Sequence, residues 1–322
     1  MLINAVDVDS LTIESLPIAG IALAIVAAAL LAVGNELQAR GVNAVSKRSA
    51  DSAGLGAKQF RALFRSGVWL LGTLSLGLAV LVQLASLTLA PLIVVQPVGV
   101  AALVFAALLT AWSTHRMPTR RVVRSILICI GGVGVFVTVA ALVAKQHAIR
   151  DAELIAILVV LGVVFLALAT VFVLYRFRWH RPVAPIVYVL AGGVLTGFVA
   201  TLGKTVILRV QTVLSTEFVF DSATVLTGLC VLGLLAAGGL SIYFVQMSHT
   251  GNRPEVVVAG LTVIDPFVAV ILGVTILGEA AGAPLWALAA FVLAGATAVA
   301  GVFLLSAAQR KDDRLNEAVA NG

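Results

Sequence analysis

The sequence predicts an all-α, polytopic membrane protein, and three observations predict it. Of its 322 residues, 61% are hydrophobic and only 11% are charged, whereas a soluble domain carries about 25% charged residues. The mean hydropathy of +1.12 is more apolar than a water-facing globule can cover with polar surface. The apolar residues also come as continuous runs of about 20, the length that crosses a bilayer as a helix. A membrane β-barrel would instead alternate apolar and polar residues over segments of about ten. A soluble enzyme and a disordered chain are excluded on the same grounds.

Nine runs carry the prediction, at 17–42, 66–89, 91–112, 122–144, 154–175, 184–209, 223–247, 255–277 and 285–307. The third and eighth begin at Ala90-Pro91 and Arg253-Pro254, where proline suits a helix start because its missing N–H is not needed there. The first 16 residues hold Asp7, Asp9 and Glu14 and no Lys or Arg. That is not the basic leader of a secretory signal, so the first run is expected to stay in the mature protein. The last 15 residues are expected to form a solvated cytoplasmic tail.

The net charge of +6 reads as a topology code rather than a nucleic-acid patch, because the basic residues lie between the runs. With the N-terminus outside, 17 of the 21 basic residues fall on the inner side. These are Arg40 to Arg65, Arg116 to Arg124, Arg176 to Arg181, Arg253, and the tail's Arg310, Lys311 and Arg314. Only Lys145, Arg150 and Arg209 fall outside, and Lys204 lies within a run. The bias predicts nine spans with the C-terminus inside, and the excess of Ala, Val and Arg suggests a bacterial source and so the inner membrane.

The runs also suggest an internal repeat. Gly34-Asn35 and Gly203-Lys204 stand 169 residues apart, and so do Gln96-Pro97 and Asp265-Pro266. A polar residue followed by proline deep in an apolar helix is uncommon, and here it occurs twice at one offset. The reading is a 4+1+4 inverted repeat. It comprises an extracytoplasmic segment (1–16), a first repeat (17–144), a linker holding the fifth span (145–183), a second repeat (184–307) and a tail (308–322).

Two stretches carry a family resemblance: LASLTLAPLIVVQPVG (84–99) and TVIDPFVAVILGVTILGE (262–279). They resemble the drug/metabolite transporter superfamily, the EamA-like and NIPA-like branches. Its members place an Ala-Pro turn before a helix, a proline within it and a Gly-Glu pair at its end, matched here by Gly278-Glu279. The NIPA-type magnesium transporters are similar in having nine helices and an early glycine-spaced segment, here Gly34 to Gly41. They also carry a Tyr, a Gly-rich run and a Lys in the sixth helix, here Tyr188, Gly192, Gly193 and Lys204. The resemblance implies secondary transport of a small molecule or metabolite, with magnesium or another divalent cation as the alternative cargo.

A charge at the bilayer centre costs about 3 kcal/mol on insertion scales, so each polar group in a run needs a reason. Asp265 lies near the middle of the eighth run. Pro266 removes a donor from the helix, and a carboxylate beside a freed carbonyl in a broken helix can hold a cation or a proton. The competing reading is a protonated Asp hydrogen-bonded to a neighbouring helix. Gln96 beside Pro97 is its counterpart, either a site group or a polar clip between helices. Lys204 is expected either to reach the outer interface along its stem or to pair with Asp265 or Glu36. Glu36 in turn either joins that site or pairs with Arg40 four residues on. Tyr243 and Gln246, spaced to share one face, are secondary candidates, although tyrosine also favours the interface belt.

Cys129 and Cys230 sit inside apolar runs, away from disulfide or metal spacing. The histidines His115, His147, His180 and His249 fall in loops without ligand spacing. No phosphate-binding loop, Ser-His-Asp order or cofactor motif appears. An enzyme is therefore not expected, and transport would be passive or ion-coupled. The expected partners are the bilayer, a small-molecule or ion substrate and, as an open option, a second copy of the chain. A membrane scaffold or lipid-handling subunit remains a further alternative.

Overall fold

The structure, a computed structural model, describes residues 16–48, 64–113, 119–145, 149–178, 183–215, 222–252 and 254–320. Among these residues the chain is helical, with no strand. Ten α-helices run in order: α1 (Leu16–Arg48), α2 (Gly67–Leu89), α3 (Leu92–Val98), α4 (Ala101–Ser113), α5 (Arg120–Val143), α6 (Asp151–Val173), α7 (Pro185–Ser215), α8 (Ser222–Gly251), α9 (Pro254–Thr275) and α10 (Leu285–Ala320). A π-helical turn, Leu174–Arg178, extends α6. The α3–α4 pair makes one span, so nine helices among the described residues are long and apolar enough to cross a membrane. The protein is an all-α, multi-pass membrane protein.

Local chemistry sets the ends. Ser66 and Thr119 cap α2 and α5 by accepting the N–H of Trp69 and of Val122, each at 3.4 Å. Glu153 reaches back to the N–H of Arg150 at 3.0 Å and closes the start of α6. Proline opens α7 and α9 and directly precedes α3 and α10.

Helix packing rests on small residues, as membrane interiors require, since lipid tails give no hydrophobic drive between helices. A Cβ on Gly132 would come within 2.4 Å of the Ala298 backbone N, and one on Gly301 within 2.5 Å of the Cys129 backbone N. Thus α5 and α10 touch backbone to backbone. The same holds for α1 on α2, where Gly72 lies against the Gln38 N and Gly41 against Trp69. Between α7 and α9, Gly193 meets Ile264 and Gly197 meets Val268. Hydroxyls add clips. Ser86 Oγ donates to the Gly20 carbonyl at 2.7 Å, Ser75 Oγ to the Leu30 carbonyl at 2.9 Å, and Thr196 and Ser241 bridge α7 to α8 at 2.7 Å.

One expectation needs correction. The eighth run does not break: α9 continues through Pro266 to Thr275. A proline removes one hydrogen bond, but no water is present in the bilayer to compete for the rest, and close packing on α7 holds the helix in register. The interruption lies in the third run instead, at Gly99–Val100 after Pro97. There the N–H groups of Gly99 and Val100 return to the carbonyls of Gln96 and Pro97 at 3.1 and 3.2 Å, a tightened 3₁₀-like turn. Helix α10 runs on through the expected tail to Ala320. The segment 1–15, the loop bases Lys58, Arg61, Arg116, Arg181 and Arg253, and His115, His147 and His180 lie outside the described residues.

Candidate substrate and ion site

The short helix α3 is the centre of the bundle. Every residue from Ala90 to Val98 is buried, and Leu92 to Val95 have no exposed surface. Burying the start of a helix leaves its first N–H groups without partners. Glu279 supplies the acceptors. Its Oε1 accepts the Leu92 N–H and its Oε2 the Ile93 N–H, both at 2.8 Å. Lys204 Nζ donates to Glu279 Oε1 at 2.6 Å and to the Ala90 carbonyl at 3.2 Å. Both charged side chains are about 2–3% exposed.

The sequence around Glu279 is built for this position. Gly278 has φ +63°, which turns the chain back after α9 and which other residues adopt only with strain. The Glu279 N–H then returns to the Gly273 carbonyl at 3.0 Å, and its own carbonyl accepts the Lys145 N–H at 2.8 Å. Gly273 leaves room for the carboxylate, since a Cβ there would lie 2.9 Å from Oε2. The α2–α3 turn and α7 thus meet on the Glu279 carboxylate, while the end of α5 and the end of α9 hold its backbone. A buried ion pair survives only where its remaining hydrogen bonds are met, and here they are.

Lys204 therefore neither reaches an interface nor pairs with Asp265 or Glu36; its partner is Glu279. Glu36 instead accepts from Arg40 Nε at 2.8 Å, within one turn of α1 on a partly exposed face. The pairing of Lys204 was not legible in sequence because 75 residues separate it from Glu279. The available signal was the glycine spacing, with Gly273 and Gly278 both preceding a Glu at a helix end.

Asp265 sits one turn before Ala269, on the side of α9 that also carries Leu272. Ala269 and Leu272 are buried in the core cluster that contains α3. Asp265 Oδ1 is buried and is the one such side-chain atom among the described residues without a hydrogen-bond partner. Nearly all buried polar atoms in folded proteins are paired, and an unpaired one costs about 1–3 kcal/mol. This oxygen is therefore free to take a proton, a cation or a ligand donor. The helix backbone at this level is pressed on α7, where a Cβ on Gly197 would lie 2.9 Å from the Asp265 carbonyl.

Pro97 and Pro266 both line a cavity of about 540 Å³ between α3, α5, α9 and α10. Ile93, Phe136 and Phe291 also line it, and Asp265 does not. Gln96 is buried in α3. Tyr243 and Gln246 are exposed on the outside of α8, and the inward residue is Phe244, stacked on Phe172 at 5.2 Å and beside Tyr188. The structure thus places Asp265, Gln96, Pro97 and Pro266 in or beside the core, joins Lys204 to Glu279, and leaves Glu36, Tyr243 and Gln246 on partly or fully exposed faces. Among the described residues, no three His, Cys, Asp or Glu side chains gather as a metal centre.

No protein-family model, curated protein or solved structure matches the chain.

Proposed function

We propose that the protein is a secondary transporter of the drug/metabolite type, moving a small molecule or metabolite across the bacterial inner membrane with a proton or ion as coupling partner. The observation that carries this reading is the unpartnered Asp265 Oδ1, a carboxylate oxygen held inside a membrane helix next to a proline. A scaffold gains nothing from such a group, whereas an ion-coupled carrier needs one that can be loaded and unloaded.

The helix pairings support an inverted repeat, and the loop distribution of basic residues supports an N-terminus outside. Helix α1 packs on α2 as α7 packs on α8, α1 on α3–α4 as α7 on α9, and α3 on α5 as α9 on α10. The contacts of α5 with α10 and of α3 with α9 would then lie on the symmetry axis. Alternating access follows from rocking one half on the other. The Lys204–Glu279–α3 junction joins the two halves at one end, and Asp265 lies further along α9.

The apolar cavity favours lipid handling as the second reading, since it offers no charged group to a hydrophilic solute. A magnesium path built on Asp265 and Glu36 has less support, because Glu36 is engaged with Arg40.

The test is a substrate screen by growth of a deletion strain, rescued by the wild type or by Asp265→Asn at equal membrane levels. Loss of rescue with Asp265→Asn supports the reading. Full rescue removes Asp265 from the mechanism.

A further inference from the structure

Helices α9 and α10 are consecutive in sequence but take their main partners elsewhere, α9 on α7 and α10 on α5. The cavity fills the gap that this leaves. Its walls run from Thr262 to Thr275 on α9 and from Leu288 to Val302 on α10. At 1.5 Å per residue each wall is about 20 Å long. Both walls lie within membrane spans, Val256–Thr275 and Leu285–Ala308. The space is therefore a groove parallel to the helices, at the depth of the hydrocarbon core.

We propose that this groove is a binding site for one acyl chain of a bilayer lipid. Its length exceeds the roughly 15 Å of one leaflet, half of a core about 30 Å thick, so an extended chain fits lengthwise. Its chemistry suits an alkyl chain and little else. The two threonine hydroxyls on its wall are already donated within α9, Thr262 to the Val258 carbonyl at 2.7 Å and Thr275 to the Ile271 carbonyl at 2.6 Å. A solute needing hydrogen bonds would find none and would lose those it had in water. The mouth faces lipid, with Phe267 and Val292 on its rim 63% and 71% exposed. That rim is bulky, unlike the small-residue stripes by which membrane helices dock, so a helix of a second copy is a poorer fit than a flexible chain. The floor is made shallow-walled by Gly295, whose nearest neighbour would be the Phe136 ring at 3.8 Å from an added Cβ. The assignment stands on the groove itself and not on transport.

The experiment uses the full chain in nanodiscs containing phosphatidylcholine with a diazirine midway along one acyl chain. Photolysis is followed by peptide mapping. Labelling around Phe267, Val292 and Gly295 is expected to exceed that around Val163, a lipid-facing control on α6, by about tenfold per residue. Unlabelled lipid should saturate it. Filling the groove with Gly295→Leu, or independently from the other wall with Val270→Phe, should bring groove labelling down to the control level while thermal stability is kept. The two variants approach from different helices, so a folding failure of one leaves the other to decide. Labelling equal to the control in the wild type, labelling unchanged in the filled variants, or crosslinks between two copies through the groove would each overturn the proposal.

Discussion

Lys204 and Glu279 form a buried ion pair at 2.6 Å that ties α7 to the turn after α9, and Glu279 at the same time caps the buried start of α3. Two charges this deep would each be costly alone, and each is the reason that the other can be there. Lys204→Met leaves the carboxylate with backbone donors only. Glu279→Gln removes the negative charge and leaves a single side-chain acceptor oxygen for the ammonium and both α3 N–H groups. Each single change should destabilise the purified protein by about 3–5 kcal/mol, the cost of breaking a buried pair. The double variant should lose clearly less than the two losses combined. Denaturation in detergent checks this, and strictly additive losses would contradict the pairing.

The α5–α10 contact admits no side chain. Gly132→Leu and Gly301→Val would drive a Cβ into backbone that cannot move aside as a flexible side chain can. Both should lower stability by at least the 1–3 kcal/mol usual for overpacking. Gly131→Ala, with nothing within 4 Å of the new Cβ, should behave as wild type. Size-exclusion profiles after a heat challenge report the difference.

On α8 the register separates two neighbours. Phe244→Ala removes a buried ring stacked on Phe172 and should cost about 3–5 kcal/mol. Tyr243→Ala and Gln246→Ala, on the exposed side, should change stability by less than about 0.5 kcal/mol and leave any transport intact. A transport defect in either, with stability unchanged, would return these residues to the site.

Glu36→Gln removes a partly exposed i,i+4 pair with Arg40, a contact worth about 0.3–0.5 kcal/mol. Stability should fall by no more than that, and less at high salt. Magnesium uptake into vesicles that stops with Glu36→Gln would contradict the local role given to this residue.

The spans were legible because hydropathy acts along the chain: the first run, 17–42, coincides with the span Pro17–Val42, and the others differ by a few residues. Tertiary pairing was not legible. The sequence marks Lys204 and Asp265 as unusual, but it does not say that a loop glutamate folds back under α3 to take the lysine. That depends on Gly278 at positive φ and on the space above Gly273. Proline likewise marked both spans, but only the one followed by Gly99 is interrupted, because neighbours decide whether a helix with one lost hydrogen bond continues. On α8, a spacing of three residues put Tyr243 and Gln246 on one face without saying which face was buried.

The most direct measurement is ion movement driven by substrate in proteoliposomes that carry an internal pH dye, using a compound found by the growth screen. If Asp265 is the coupling group, wild-type vesicles should show a pH change on substrate addition. Asp265→Asn vesicles, inserted to the same level, should show none. An Asp265→Asn protein that moves substrate and protons at the wild-type rate would contradict the proposed mechanism.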